Sequence, residues 1–184
     1  MDNGASSYRR FLDGDNSGLA KLIEEYRMPL KIFILYFTGS NETAEEATIE
    51  TFVKLATKKP KYSGKASFKT WLFRIGRNTA LDFIRKTSKY NFADIEEIPE
   101  AESCVPSPEE QYLKDERDKS LYLSMKKIKQ EYYTVLWLMY FEELRIKEIA
   151  VIMNKSEGNT KVLLSRAREA LKVQLGKDGF DYEN

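Results

Sequence analysis

A chain of 184 residues with 42% apolar and 32% charged side chains suits one ordinary domain or two small helical ones with little interior each. It has no histidine and one cysteine, Cys104, which excludes zinc fingers, His-based triads and an internal disulfide. The net charge of +1 conceals 5 basic and 9 acidic residues over 1–53, 11 basic and 1 acidic over 54–89, 2 and 10 over 91–118, and 6 and 2 over 155–177. Two basic blocks flanking an acidic one point to polyanion contact at two places.

The opening MDNGASSYRR lacks the apolar stretch of a secretory signal. Residues 17–37 read as helix, with Leu19, Leu22, Ile23 and Tyr26 at helical spacing. Pro29 is expected to break it, opening a second helix after a junction near Arg27–Met28. The run KIFILYF within that stretch is far too short to span a membrane. With a lone cysteine, these features give the expectation of a cytoplasmic protein with no membrane insertion. Gly39-Ser40-Asn41 is a turn, and Thr43-x-x-Glu46 reads as a capping box for a helix with Ala44, Ala47, Ile49, Phe52, Val53 and Ala56 inward.

Residues 57–66, TKKPKYSGKA, form a basic loop punctuated by Pro60 and Gly64. Ser67 caps a long helix to about Ser88. Turned at about 100° per residue, that helix gathers Phe68, Trp71, Leu72, Ile75 and Phe83 on one arc. Arg74, Arg77 and Arg85 share the flank beside Trp71, while Phe73 and Ile84 fall on the far side. From Tyr90 to Pro108 periodicity disappears, and the acidic, proline-bearing run over 91–107 reads as a linker. Ser107-Pro108-Glu109-Glu110 starts a helix to about Lys127, and EYYTVLWLMYF over 131–141 is another.

The last third carries the sharper pattern. IKEIAVIMN is a short helix with Ile146, Ile149, Ala150 and Met153 inward, Asn154-Lys155-Ser156 is a turn, and Ser156 caps a second helix. Thr160, Leu164, Ala167, Leu171 and Leu175 form the buried stripe of that second helix. Gly158, Val162, Ser165 and Arg166 stand opposite, flanked by Asn159, Lys161 and Arg168. Helix, tight turn and basic amphipathic helix make a helix-turn-helix, whose second helix can enter a major groove. The architecture is all-α: two small helical domains, about 10–90 and 108–176, joined by the acidic linker. No nucleotide-binding glycine motif occurs, and with no histidine and one cysteine no cofactor or metal is expected. Carboxylate-only catalysis is left open by composition, but no catalytic residue is singled out. The residues themselves leave open a stand-alone helix-turn-helix regulator and a protein-binding adaptor.

In family order, AEEATIETFVKL with YSGKASFKTWLFRIGRNTALDFIRK, then YYTVLWLMYFEELRIKEIAVIMNKSEGNTKVLLSRAREALK, resemble the extracytoplasmic-function (ECF) group of bacterial RNA polymerase sigma factors. The resemblance implies a subunit without catalytic activity that joins core RNA polymerase through its clamp and flap regions and starts transcription from promoter DNA. It also implies control by an anti-sigma factor. The clamp-binding motif falls on Ala44, Glu45, Glu46, Glu50, Thr51 and Phe52, although Ala47-Thr48-Ile49 stand where relatives read Leu-Val-Gln. The resemblance places the −10 and melting segment on Ser67, Phe68, Thr70, Trp71, Leu72, Arg74, Ile75, Arg77, Asn78, Ala80, Leu81, Asp82 and Arg85. With the cations and ring of the basic loop, the candidates for that contact are Lys61, Tyr62, Lys65, Ser67, Lys69, Arg74, Arg77, Asn78 and Arg85. Its −35 counterpart includes Ser156, Glu157, Asn159, Lys161, Val162, Ser165 and Arg166. Asn159-Thr160-Lys161-Val162-Leu163 replace a common Thr-Val-Lys-Ser-Arg, so the −35 sequence is not transferable from relatives.

Overall fold

A computed structural model describes residues 4–90 and 116–179, all the regular structure being helical among them. The expected linker over 91–107 with its Cys104, and the cap at Ser107-Pro108, lie outside the described residues. The N-terminal unit contains α1 (Ala5–Leu12), α2 (Ser17–Thr38), α3 (Asn41–Lys58) and α4 (Phe68–Tyr90). Helices α5 (Glu116–Lys126), α6 (Gln130–Tyr140), α7 (Ile146–Met153) and α8 (Glu157–Lys177) form the C-terminal unit.

Helix α1, which the periodicity does not announce, buries Tyr8 and Phe11 against α2. The joint is tight because Gly18 has no side chain: a Cβ there would lie 2.2 Å from the Ser7 carbonyl oxygen. Arg10 closes the same corner through Asp15, which accepts at 2.6 Å and also receives the Ser17 N–H at 2.9 Å.

Helix α2 is continuous through Pro29, which corrects the expected junction at Arg27–Met28. An interior proline costs about 3 kcal/mol. Fully burying one large apolar side chain returns about 1.5–3 kcal/mol, and Leu22, Leu30, Ile32, Phe33 and Ile34 are all buried around it. Tertiary burial on both sides of the proline therefore outweighs the lost bond.

Ser40, not Thr43, caps α3, accepting the Thr43 N–H at 3.2 Å, so the helix begins at Asn41. Its buried face is Ala44, Ala47, Thr48, Thr51, Phe52 and Leu55. Ile49 and Val53, expected inward, are exposed. Thr48 and Thr51 can face the interior because each hydroxyl donates to the carbonyl four residues back, Ala44 and Ala47, at 2.7 Å. Helix α4 starts after Ser67, whose hydroxyl accepts the Thr70 N–H at 3.2 Å, as its sequence predicts. Gly76 admits α2 closely, since a Cβ there would sit 2.7 Å from Leu30 Cδ1.

Phe73 is a further correction: it is fully buried, its ring 5.3 Å from that of Phe33. A one-sided amphipathic reading fails for α4 because the helix packs on α2 and α3 within its own unit and on α7 of the other. Helix α6 likewise meets α2, so the two units share a seam.

The C-terminal core is aromatic. Trp137 stacks on Phe141 at 4.4 Å and on Tyr133 at 6.0 Å, with Tyr122 edge-on. Asp178, just beyond α8, accepts from Ser124 and from Lys127 at 2.6 Å each, tying the end of α8 to α5. Those contacts hold its carboxyl below the ordinary value, Lys127 contributing most and Ser124 next.

Candidate nucleic-acid interface

Around the start of α4, Tyr8, Tyr62, Phe68 and Trp71 form one ring cluster with centroid separations of 5.2–5.6 Å. Two phenols in it hold the preceding basic loop. Tyr8 donates to the Pro60 carbonyl at 2.7 Å and Tyr62 to the Ala66 carbonyl at 2.6 Å. Burial pushes the Tyr8 phenol up to about 12, so it stays a donor at neutral pH. Lys61 and Lys65 are left exposed on a loop of defined shape, beside a half-buried Trp71. A polyanion meeting this corner finds cations beside the partly exposed rings of Tyr62 and Trp71, while Tyr8 and Phe68 are buried. Cations beside rings are the pairing that single-stranded nucleic acid uses.

Farther along α4, Arg74, Asn78 and Arg85 are exposed, and Arg85 approaches Asp82 at 3.5 Å. Arg77 is half-buried in a cleft lined by Phe33, Gln130, Thr134 and Met153. That burial, and secondarily the charge of Arg85, lowers its pKa from the ordinary arginine value. The candidates Ser67 and Lys69 sit at the seam, where carboxylates of the C-terminal unit reach them. The expected DNA face of the N-terminal unit is thus divided into an open part and a covered part.

The turn between α7 and α8 has the form its residues predict. Asn154 takes the left-handed conformation at φ 55°, and the Lys155 N–H bonds to the Ala150 carbonyl at 3.0 Å. Ser156 Oγ then accepts the Asn159 N–H at 3.2 Å. Thr160, Leu164, Ala167, Leu171 and Leu175 are buried as expected, and Leu163 joins them. Ser156, Glu157, Asn159, Lys161, Val162, Ser165 and Arg166 are all exposed, Glu157 beside a cleft that Arg74 also lines. Of Val162 and Leu163, which stand where relatives often have serine and arginine, only Val162 presents an apolar group outward, because Leu163 belongs to the interior.

A third surface lies on α2 and α3. Glu45 bonds to Arg27 at 2.5 Å and to Lys31 at 2.7 Å. Lys31 first and Arg27 second hold its carboxyl below the usual range. Glu46 is exposed and Glu50 half-exposed, whereas Thr51 is fully buried, with no side-chain surface for a partner. Beside them Leu19, Ile23, Ile49, Phe52 and Val53 line an apolar depression. Ile49 and Val53 escape sequence reading because helical spacing alone cannot tell a core stripe from a second apolar face.

Family models match both units: Sigma-70 region 2 over residues 22–90 and Sigma-70, region 4 over residues 119–171. The RNA polymerase sigma factor YlaC of Bacillus subtilis is 30% identical over 157 residues, covering 85% of this chain and 91% of that protein. The ECF RNA polymerase sigma factor SigM of the same organism is 32% identical over 154 residues, covering 83% and 92%. The chain belongs to the ECF RNA polymerase sigma factors. In fold, the sigma factor is similar to RpoE in its co-crystal structure with the anti-sigma factor NepR from Bartonella quintana. That likeness has a TM-score of 0.66 and 20% identity over 88% of this chain and 98% of that one. Most of α2 and all of α3 and α4 fall within region 2 of the sigma factor, and α6, α7 and most of α5 and α8 within region 4. Among the described residues no helix is long and apolar enough to cross a membrane.

Proposed function

We propose that this sigma factor divides its work among the three surfaces, acting in the cytoplasm as a polymerase subunit without catalysis of its own. The α2–α3 face, with Glu45, Glu46, Glu50 and the apolar depression around Ile49 and Val53, seats core RNA polymerase. The phenol-braced loop with Lys61, Tyr62 and Lys65, and the Arg74, Asn78 and Arg85 flank, hold the opened −10 strand. The exposed face of α8 reads the −35 duplex in the major groove.

The observation that carries this reading is the ring cluster beside cations in a unit separate from the helix-turn-helix. A duplex reader has no use for it. Holding a base by stacking contributes about 1–3 kcal/mol, against about 1.4 kcal/mol for each base-pair step lost. Melting is therefore near balance without help, and the polymerase must tip it. Because a relative in fold is found in complex with an anti-sigma factor, an anti-sigma factor is the proposed regulator here as well.

An electrophoretic shift with duplex promoter DNA, with and without core polymerase, tests the division. Specific retardation is expected only with polymerase present. Tight specific binding by the chain alone, unaffected by polymerase, would favour the stand-alone regulator instead.

A further inference from the structure

Two carboxylates of the C-terminal unit occupy the start of α4. Glu142, its side chain 1% exposed, accepts from Lys69 Nζ at 2.6 Å, and its main-chain oxygen takes the same ammonium at 3.1 Å. The other carboxylate oxygen accepts the Trp137 Nε1–H at 3.2 Å, which fixes the group within its own unit. Glu148 is built the same way. Its Oε2 accepts the Arg145 N–H at 3.1 Å, and its Oε1 accepts the hydroxyls of Ser67 at 2.9 Å and Thr70 at 3.0 Å. Each acid is thus anchored at home by one oxygen and spends the other on the opposite unit.

An ammonium, two hydroxyls and a capped helix start are the donors with which proteins hold nucleic-acid phosphates. Here acids of the same chain use them. Arg77 is drawn into the same seam, in a cleft with Gln130 and Met153, and the exposed Arg74 stands at the edge of another with Lys147, Ala150 and Asn154.

The closed arrangement cannot straddle a promoter. Elements centred near −10 and −35 lie about 25 nucleotides apart, or about 85 Å at about 3.4 Å per step. A folded chain of this length has a radius of gyration of only about 16 Å. The units must part before both elements are held.

We propose that Glu142 and Glu148 act as a built-in phosphate mimic that docks the C-terminal unit on the −10 surface and keeps the free sigma factor closed. This rests on the reading of α4 as the −10 surface and adds a regulatory step to it. DNA and the two acids compete for Ser67, Lys69 and Thr70, and the free chain binds open strand weakly until polymerase separates the units.

The test uses the full chain with Cys104→Ser and spin labels on Glu25→Cys and Lys147→Cys, exposed positions on the rim of one cleft between the units. Pulsed EPR is expected to give a short distance in that background and a long, broad one after Glu142→Gln and Glu148→Gln. Circular dichroism should report unchanged helix content in both. In parallel, binding of a labelled random-sequence single-stranded 20-mer is compared with that of an Asp13→Asn, Glu24→Gln control, which makes the same charge change at exposed positions that line none of the clefts between the units. The seam variant should bind at least about fivefold tighter than the control. Its dependence on log salt should steepen by about 0.7 for each further phosphate neutralised. An unchanged short distance in the seam variant overturns the proposal and leaves the −10 reading untouched. A long distance with binding no tighter than the control's overturns it too, and in that case the assignment of α4 falls with it.

Discussion

Lys69 and Glu142, from different units, form an ion pair of 2.6 Å in which the carboxylate side chain is 1% exposed. A carboxylate so buried is tolerable only while its partner stays, because removing one member of a buried pair strands the other charge. Lys69→Met should therefore lower the melting temperature more than Lys69→Met combined with Glu142→Gln. A double-mutant cycle followed by calorimetry should give a coupling of about 1.5–3 kcal/mol, the range for hydrogen bonds to charged groups. Simple additivity would show that the seam is not held here.

The loop before α4 depends on a phenol outside it. Tyr8→Phe removes the bond to the Pro60 carbonyl and keeps the ring cluster. It should cost about 0.5–1.5 kcal/mol of stability. Open-complex formation, read by permanganate reactivity of unpaired thymines, should fall with −35 duplex binding intact. Equal loss of both would reduce Tyr8 to a general stability role.

On α3, exposure separates candidates that spacing treats alike. Ile49→Asp or Val53→Asp should leave the melting curve within about 0.5 kcal/mol, as for other surface changes. Core polymerase affinity should drop about 30-fold or more, the scale of a lost hot spot of about 2 kcal/mol. Thr51→Val, at a buried position whose hydroxyl bonds within the helix, should change that affinity by less than about twofold. Fluorescence anisotropy with labelled sigma factor measures all three, and a large loss at Thr51 alone would reverse the assignment.

For α8, Lys161→Ala and Arg166→Ala alter exposed side chains on the reading face. A lost base contact costs about 1–3 kcal/mol and relaxes preference at one position. A lost phosphate contact instead reduces the salt slope by about 0.9 with no change of preference. Holoenzyme binding to −35 variants across a salt series distinguishes these outcomes. Neither change, at either residue, would remove α8 from the −35 contact.

Acid stability should expose the α1–α2 corner. Bonds from the Ser17 side chain, Arg10 and the Ser17 backbone lower the Asp15 carboxyl to about 2 from its ordinary 3.8. A depressed folded value stabilises the fold fully above the ordinary pKa and loses that contribution as pH falls toward 2. Melting temperatures of the wild type and Asp15→Asn should therefore differ at pH 6, with the difference shrinking below about pH 4 and lost only below about pH 2. A constant difference across that range would contradict the linkage.

Much of the C-terminal reading was legible because its determinants are local. Ser156 caps three residues ahead, Asn154 tolerates the left-handed turn, and the Thr160–Leu175 stripe follows one helical period. The misses share a different cause. Pro29 stays helical, Phe73 goes inward and Ile49 goes outward because of neighbours distant in sequence. Ser40 displaces Thr43 as cap because two nearby hydroxyls compete and only geometry decides. Least visible were Glu142 and Glu148, whose partners lie 73 to 81 residues away. As sequence they read only as acids around the first helix of the helix-turn-helix.

Run-off transcription with purified core polymerase, this chain and fragmented genomic DNA of its source addresses the sigma role itself. Discrete transcripts that vanish when the chain is omitted, and that weaken when Lys61 and Lys65 are replaced by alanine, are the predicted result. A polymerase that starts from no fragment in the presence of the folded chain would contradict it.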